Sequence, residues 1–176
     1  MGKRSDFEHK KLAFYPTPYA AVKPLLRHLP QGSTFCEPCA GAGDLIKHLQ
    51  GHATCTAAYD VEPKVPWIDQ LDASFLLLPD LMSADYIITN PPWERGPLHQ
   101  IIERCASLAP TWLLFDADWM HTRQSADYIS ICAKVISVGR VKWIEGSDSS
   151  GKDNCCWYLF DTEHKGNTEF WGRQPT

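Results

Sequence analysis

Short apolar runs alternate with helically spaced segments along this chain, and that alternation limits the fold more than any other feature. STFCEP (33–38), ATCTAAYD (53–60), ADYIIT (84–89) and TWLLFDA (111–117) have strand length. Around them lie TPYAAVKPLLRHL (17–29), CAGAGDLIKHLQG (39–51), GPLHQIIERCASLAP (96–110) and TRQSADYISICA (122–133), whose spacing predicts helices. Thr17 is placed to N-cap the first helix, with Pro18 at its first position, and Gly51 to end the second. Strands that alternate with helices predict an α/β fold with a Rossmann-like, doubly wound, mostly parallel sheet. Two later apolar segments, 134–144 and 155–161, flank the polar EGSDSSGKDN and predict a C-terminal antiparallel hairpin. The polar tail HKGNTEFWGRQPT is expected to be loosely held.

At 176 residues the chain reads as one domain over 1–176, without internal repeats. A formal net charge of -4 argues against a protein that coats nucleic acid indiscriminately, but leaves room for one local basic face. No run approaches the roughly 18 apolar residues of a membrane span, and MGKRSDFEHKKLAF has no apolar signal core. Seven scattered cysteines suit reduced thiols and predict a cytoplasmic location. Cys36 and Cys39 form a lone C-x-x-C with no second pair to complete a zinc site, so no metal is expected.

The stretch EPCAGAGDL falls between a strand and a helix, where glycines let a ligand approach the backbone, although such turns also serve packing. Asp60 ends the next strand about 20 residues on, the place for an acid against ribose hydroxyls or for a turn residue. Asp72 and Phe75 in LDASF suit an adenine's amino group and ring face, and Phe75 suits a core position equally. Ile46 stands where a dinucleotide fingerprint needs its third glycine, which favours a ligand with adenosine but no pyrophosphate. Further on, an apolar strand stops at Asn90, Pro91, Pro92 and Trp93; two prolines remove two donors and leave their carbonyls free.

Together EPCAGAG, AAYDVEP, LDASF and above all NPPW resemble class I S-adenosylmethionine-dependent methyltransferases that modify adenine N6. FYPTP looks like the motif that precedes the cofactor loop in one permutation class. VGRVKWI with GKDN and WY.F looks like the C-terminal signature of the small DNA enzymes of phages and prophages. The resemblance spans 14–161. It implies S-adenosylmethionine as cofactor, with Glu37, Cys39, Gly41 and Gly43 at its methionine part and Tyr15 and Thr17 at its carboxylate. It further implies Asp60 at the ribose and Asp72 at the adenine. The chain departs from the pattern at Cys39, where the family often has Phe, and at Glu37, where Asp is usual.

NPPW has a chemical reason in such enzymes. The N6 amine is a poor nucleophile because its lone pair is conjugated into the ring. Acceptors at the Asn90 side chain and the Pro91 carbonyl aim that lone pair outward for in-line attack, and oriented carbonyls stabilise the developing positive charge. Trp93 stacks on a flipped base in this reading and offsets part of an extrusion cost of a few kcal/mol; otherwise it caps the core.

Arg95, Arg140, Lys142 and Lys152 are candidate phosphate contacts or ordinary solvated charges, and loop 145–154 is a substrate-facing element or a hairpin tip. Trp119, His121 and Arg123 follow a strand without an assigned role, and His48 and His99 read as surface residues. The expected partner is DNA, with RNA as an alternative using the same tetrapeptide. A glutamine-amide methyltransferase of proteins also uses N-P-P-aromatic, usually with Tyr and an added helical domain, and a non-catalytic cofactor-binding or decoy module is the fourth reading. Membrane association is not expected.

Overall fold

The computed structural model describes residues 15–143 and 151–173. Phe14 of FYPTP, the N-terminal charged stretch and most of loop 145–154 lie outside the described residues. In chain order the elements are α1 (Tyr19–Leu26), β1 (Thr34–Glu37), α2 (Asp44–Leu49), β2 (Thr54–Asp60), β3 (Asp69–Gln70), β4 (Tyr86–Thr89), α3 (Arg95–Ala106), β5 (Thr111–Asp116), β6 (Cys132–Arg140), β7 (Asn154–Phe160) and β8 (Glu169–Trp171). Single 3-10 turns fill several of the connections.

The strands form one sheet in the order β3-β2-β1-β4-β5-β7-β6-β8. Pairing is parallel from β3 to β5, antiparallel on both sides of β7, and parallel again between β6 and β8. The sheet is therefore doubly wound and mixed, as the alternation predicts. Chain order reverses between β1 and β4, since β2 and β3 extend one way and β5 the other. The carboxyl ends of those two neighbours open the crevice where such sheets take ligands.

Side chains alternate across the sheet, and each face has its own cover. Ile88, Trp112, Leu114, Ile136 and Val138 pack under α1 and α2, against Ala21, Val22, Leu25, Leu45 and Leu49. Ile87, Leu113, Phe115, Val135 and Tyr158 face α3 through Leu98, Ile101, Ile102 and Cys105. Strand β5 is buried on both faces, which is why its sequence reads as continuously apolar. Trp157 Nε1 donates to the Ala21 carbonyl at 2.8 Å and pins α1 to the sheet.

Three expectations are corrected, and one short strand was not foreseen. The helix predicted over 122–133 is instead two 3-10 turns, Arg123–Asp127 and Ile129–Ile131, and β6 begins at Cys132. Ser125 Oγ lies 2.9 Å from the Met120 carbonyl and 2.8 Å from that of Thr122, a local pairing that competes with the helical ladder. The polar tail supplies β8, whose Phe170 pairs with Val135. Strand β3 is two residues long, too short to show as a periodic pattern. Thr17 is not the cap of α1: that position falls to Pro18, with no side-chain cap, and the helix starts at Tyr19.

Candidate active site

The glycine loop owes its shape to the end of β2. Gly41 and Gly43 have φ of +55° and +78°, a region that disfavours side-chain-bearing residues. Ala40 N donates to the Tyr59 carbonyl at 2.8 Å, and Lys64 N donates to the Gly41 carbonyl at 2.9 Å. The Asp60 carboxylate accepts from Gly41 N at 2.7 Å through one oxygen and from Glu62 N at 2.8 Å through the other. Asp60 thus ties the loop to its strand, with the outer lone pairs of both oxygens left over.

Glu37 ends β1 directly under this loop. It is buried, and its Oε2 has no hydrogen-bond partner among the described residues. Burial, and then the negative charges of Asp60 and Asp44, push its carboxyl well above the usual range. A buried carboxyl with an open oxygen, flanked by two further carboxylates, is a berth for a cationic group.

The tetrapeptide follows the neighbouring central strand. Pro91 is buried, Pro92 exposed and Trp93 half-buried. The Trp93 indole donates to Asn90 Oδ1 at 3.2 Å, and Asn90 Nδ2 donates to Thr17 Oγ1 at 3.2 Å. Because an indole N–H can only donate, it settles which end of the Asn90 amide faces it. No described residue donates to the Pro91 carbonyl. Trp93 packs against both halves of the core and meets Trp143 edge-to-face, with centroids 5.5 Å apart at 85°.

The remaining expected residues sit as follows. Cys39 lies in the glycine loop and is packed against the core on the α3 side. Asp72 caps the 3-10 turn Ala73–Phe75, its Oδ1 taking both the amide and the hydroxyl of Ser74. Phe75 is 71% exposed, so it is not a core residue, and Tyr15 is exposed too. Trp119 is buried and donates to His99 Nε2 at 3.2 Å, which makes His99 a supported, half-buried residue instead of a surface one. His48 is likewise half-buried, edge-on to Tyr19 at 5.6 Å.

Sequence reading missed Trp67 and Trp143. A side chain at Gly43 would run into the Trp67 ring, so this indole forms the wall above the loop. Trp143 supports Trp93. Neither position carries a local signal, because each partner is distant in the chain.

No protein-family model and no curated protein sequence matches this chain. Solved structures do. A candidate RNA methyltransferase from Pyrococcus horikoshii superposes with a TM-score of 0.62 at 15% identity, over 90% of this chain and 93% of that one. A candidate class I S-adenosylmethionine-dependent methyltransferase from Listeria monocytogenes gives 0.54 at 11%, over 88% and 62%. This is the class I methyltransferase fold. The modification subunit of a candidate type I restriction enzyme from Vibrio vulnificus gives 0.54 at 12%, and the chain, 96% covered, spans 49% of that subunit's length. The glycine loop follows β1, which ends at Glu37, and the Asn90 tetrapeptide follows the neighbouring strand β4.

Among the described residues no group of three or more His, Cys, Asp or Glu is arranged to hold a metal ion. No described helix is long and apolar enough to cross a membrane.

Proposed function

We infer that the chain methylates the exocyclic N6 of adenine in DNA. The observation that carries this reading is the Asn90 carboxamide, held by a donor-only indole beside the unengaged Pro91 carbonyl, next to the glycine loop. Bound S-adenosylmethionine supplies the electrophilic methyl group. Its α-ammonium group fits the open oxygen of Glu37, beside the glycine loop of Gly41 and Gly43. Tyr15 and Thr17 would flank the carboxylate, and Cys39 the methionine chain. The outer lone pairs of Asp60 suit ribose hydroxyls, while exposed Phe75 offers a ring face to the cofactor adenine with Asp72 beside it.

Asn90 Oδ1 keeps one lone pair for the substrate after accepting from Trp93, and the Pro91 carbonyl takes the second N–H. Both acceptors turn the nitrogen lone pair away from the ring and face the positive charge that develops on it. The product ammonium is strongly acidic and loses its proton to water, so no residue need act as base beforehand. Pro92 fixes the backbone that presents these acceptors, and the Trp93 ring gives the flipped base a surface.

RNA is the second reading, because the Pyrococcus protein, a candidate RNA enzyme, matches over nearly its whole length. The test is transfer of labelled methyl from S-adenosylmethionine to single-stranded DNA, duplex DNA and RNA, followed by mass identification of the nucleosides. N6-methyladenine in DNA is expected, reduced at least ~10²-fold by Asn90→Ala. Label in RNA alone moves the substrate, and a folded Asn90→Ala protein of near-normal activity sinks the mechanism.

A further inference from the structure

Four strands away from Asn90, cations and aromatic rings interleave on a surface that the transfer chemistry does not use. Trp171, 41% exposed, has the Arg27 guanidinium and the Lys134 ammonium each 5.9 Å from its ring centroid, and His28 edge-on at 4.9 Å. Lys134 pairs with Glu169 at 3.2 Å, and Trp171 Nε1 donates to the same carboxylate at 3.3 Å. Two residues on, the Arg173 side chain lies over Gly139, beside a register shift in β6. A Cβ on Gly139, whose φ is +88°, would sit 3.0 Å from the Arg173 guanidinium, so the missing side chain makes the berth. Exposed Lys23 precedes Arg27 by four residues, about one helical turn, and exposed Arg140 follows Gly139 at the end of β6.

The charge here is unbalanced. Among the described residues no ion pair includes Lys23, Arg27, Arg140 or Arg173. After burial, the positive charges of Lys134 and Arg27 hold the His28 imidazole below its ordinary value. On a chain of formal net charge -4, such a face matches a polyanion.

We propose that this face, from Arg27 across Trp171 to Arg173, binds the sugar-phosphate backbone of the nucleic acid whose base enters the crevice. The inference rests on the reading above for the identity of the polymer. Guanidinium groups suit phosphate oxygens, and an aromatic ring held between cations gives a sugar or base a surface. Four strand spacings of about 4.8 Å put β8 roughly 19 Å from β4, or about six base pairs of duplex. A second copy paired along β8 is disfavoured, because it would bring these like charges together.

The test is fluorescence anisotropy of a labelled DNA duplex titrated with protein across a salt series, with the Asn90→Ala background run in parallel. Arg27→Ala/Arg173→Ala is expected to weaken binding about tenfold and to reduce the slope of log K against log salt by about two. Lys47→Ala, whose ammonium is already paired with Asp44 at 3.2 Å, is expected to leave both unchanged. Unaltered affinity and slope in the double variant, with the thermal midpoint of the wild type, overturn the proposal. So does failure of the wild type to bind DNA or RNA, or a dimer that the double variant splits without loss of nucleic-acid affinity. If the double variant shows the expected loss but the wild type transfers no methyl, the face stands and the enzymatic reading falls.

Discussion

Among the described residues Trp93 is the only donor that reaches Asn90 Oδ1, and Phe would keep an aromatic ring there without the N–H. Trp93→Phe therefore separates positioning from stacking. One lost hydrogen bond of roughly 1 kcal/mol predicts a kcat about five- to tenfold lower. Cofactor affinity, read by calorimetry, is expected to stay unchanged, and Trp93→Ala to fall well below Trp93→Phe. Glu37 makes a second prediction, this time in pH. Its folded-state carboxyl is raised above the ordinary 4.5, so the folded protein holds a proton that the unfolded chain releases. Stability from this group is then lost as pH climbs above 4.5, up to the raised value, and levels off beyond it. Glu37→Gln is expected to melt higher than the wild type at mildly alkaline pH and to converge with it toward pH 4.5. Cofactor binding is expected to weaken in the same variant.

At the level of elements, the glycine loop combines two constraints at one residue. Gly43 needs a positive φ, and Trp67 leaves no room for a methyl group. Gly43→Ala is expected to cost at least about 1–2 kcal/mol in denaturant unfolding. Adding Trp67→Ala is expected to relieve the clash but not the backbone term. On the other side of the sheet, Trp157→Phe removes the bond to Ala21 and is expected to lower stability by about 1–3 kcal/mol. Most of this architecture was legible beforehand, because β1, β2, β4, β5 and the hairpin carry strong periodic patterns. The miss at 122–133 came from Ser125, whose hydroxyl contacts two nearby carbonyls that apolar spacing does not register. Strand β8 was missed because its residues are exposed and it gains order from β6. NPPW and the glycine loop stood out as words, but the bond from Trp93 to Asn90 is tertiary geometry and no pattern announces it.

Across the whole molecule, seven cysteines are free and none is bridged. Burial pushes the thiols of Cys55, Cys105, Cys132 and Cys155 up to about 12 and that of Cys156 to about 11, and it raises Cys36 and Cys39 as well. A thiol reagent at neutral pH is expected to label the native protein slowly and all seven sites after unfolding, with the unfolding midpoint unchanged by reductant.

The bond from Trp157 to Ala21 joins residues 136 apart in the chain. During translation at 5–20 residues per second, α1 leaves the ribosome about 7–27 s before the strand that pins it. Through that interval Ala21, Val22 and Leu25 lack much of the surface they pack on in the finished protein. The nascent chain is then at its stickiest near its beginning, and Thr17 can settle against Asn90 only after the next 73 residues have been made.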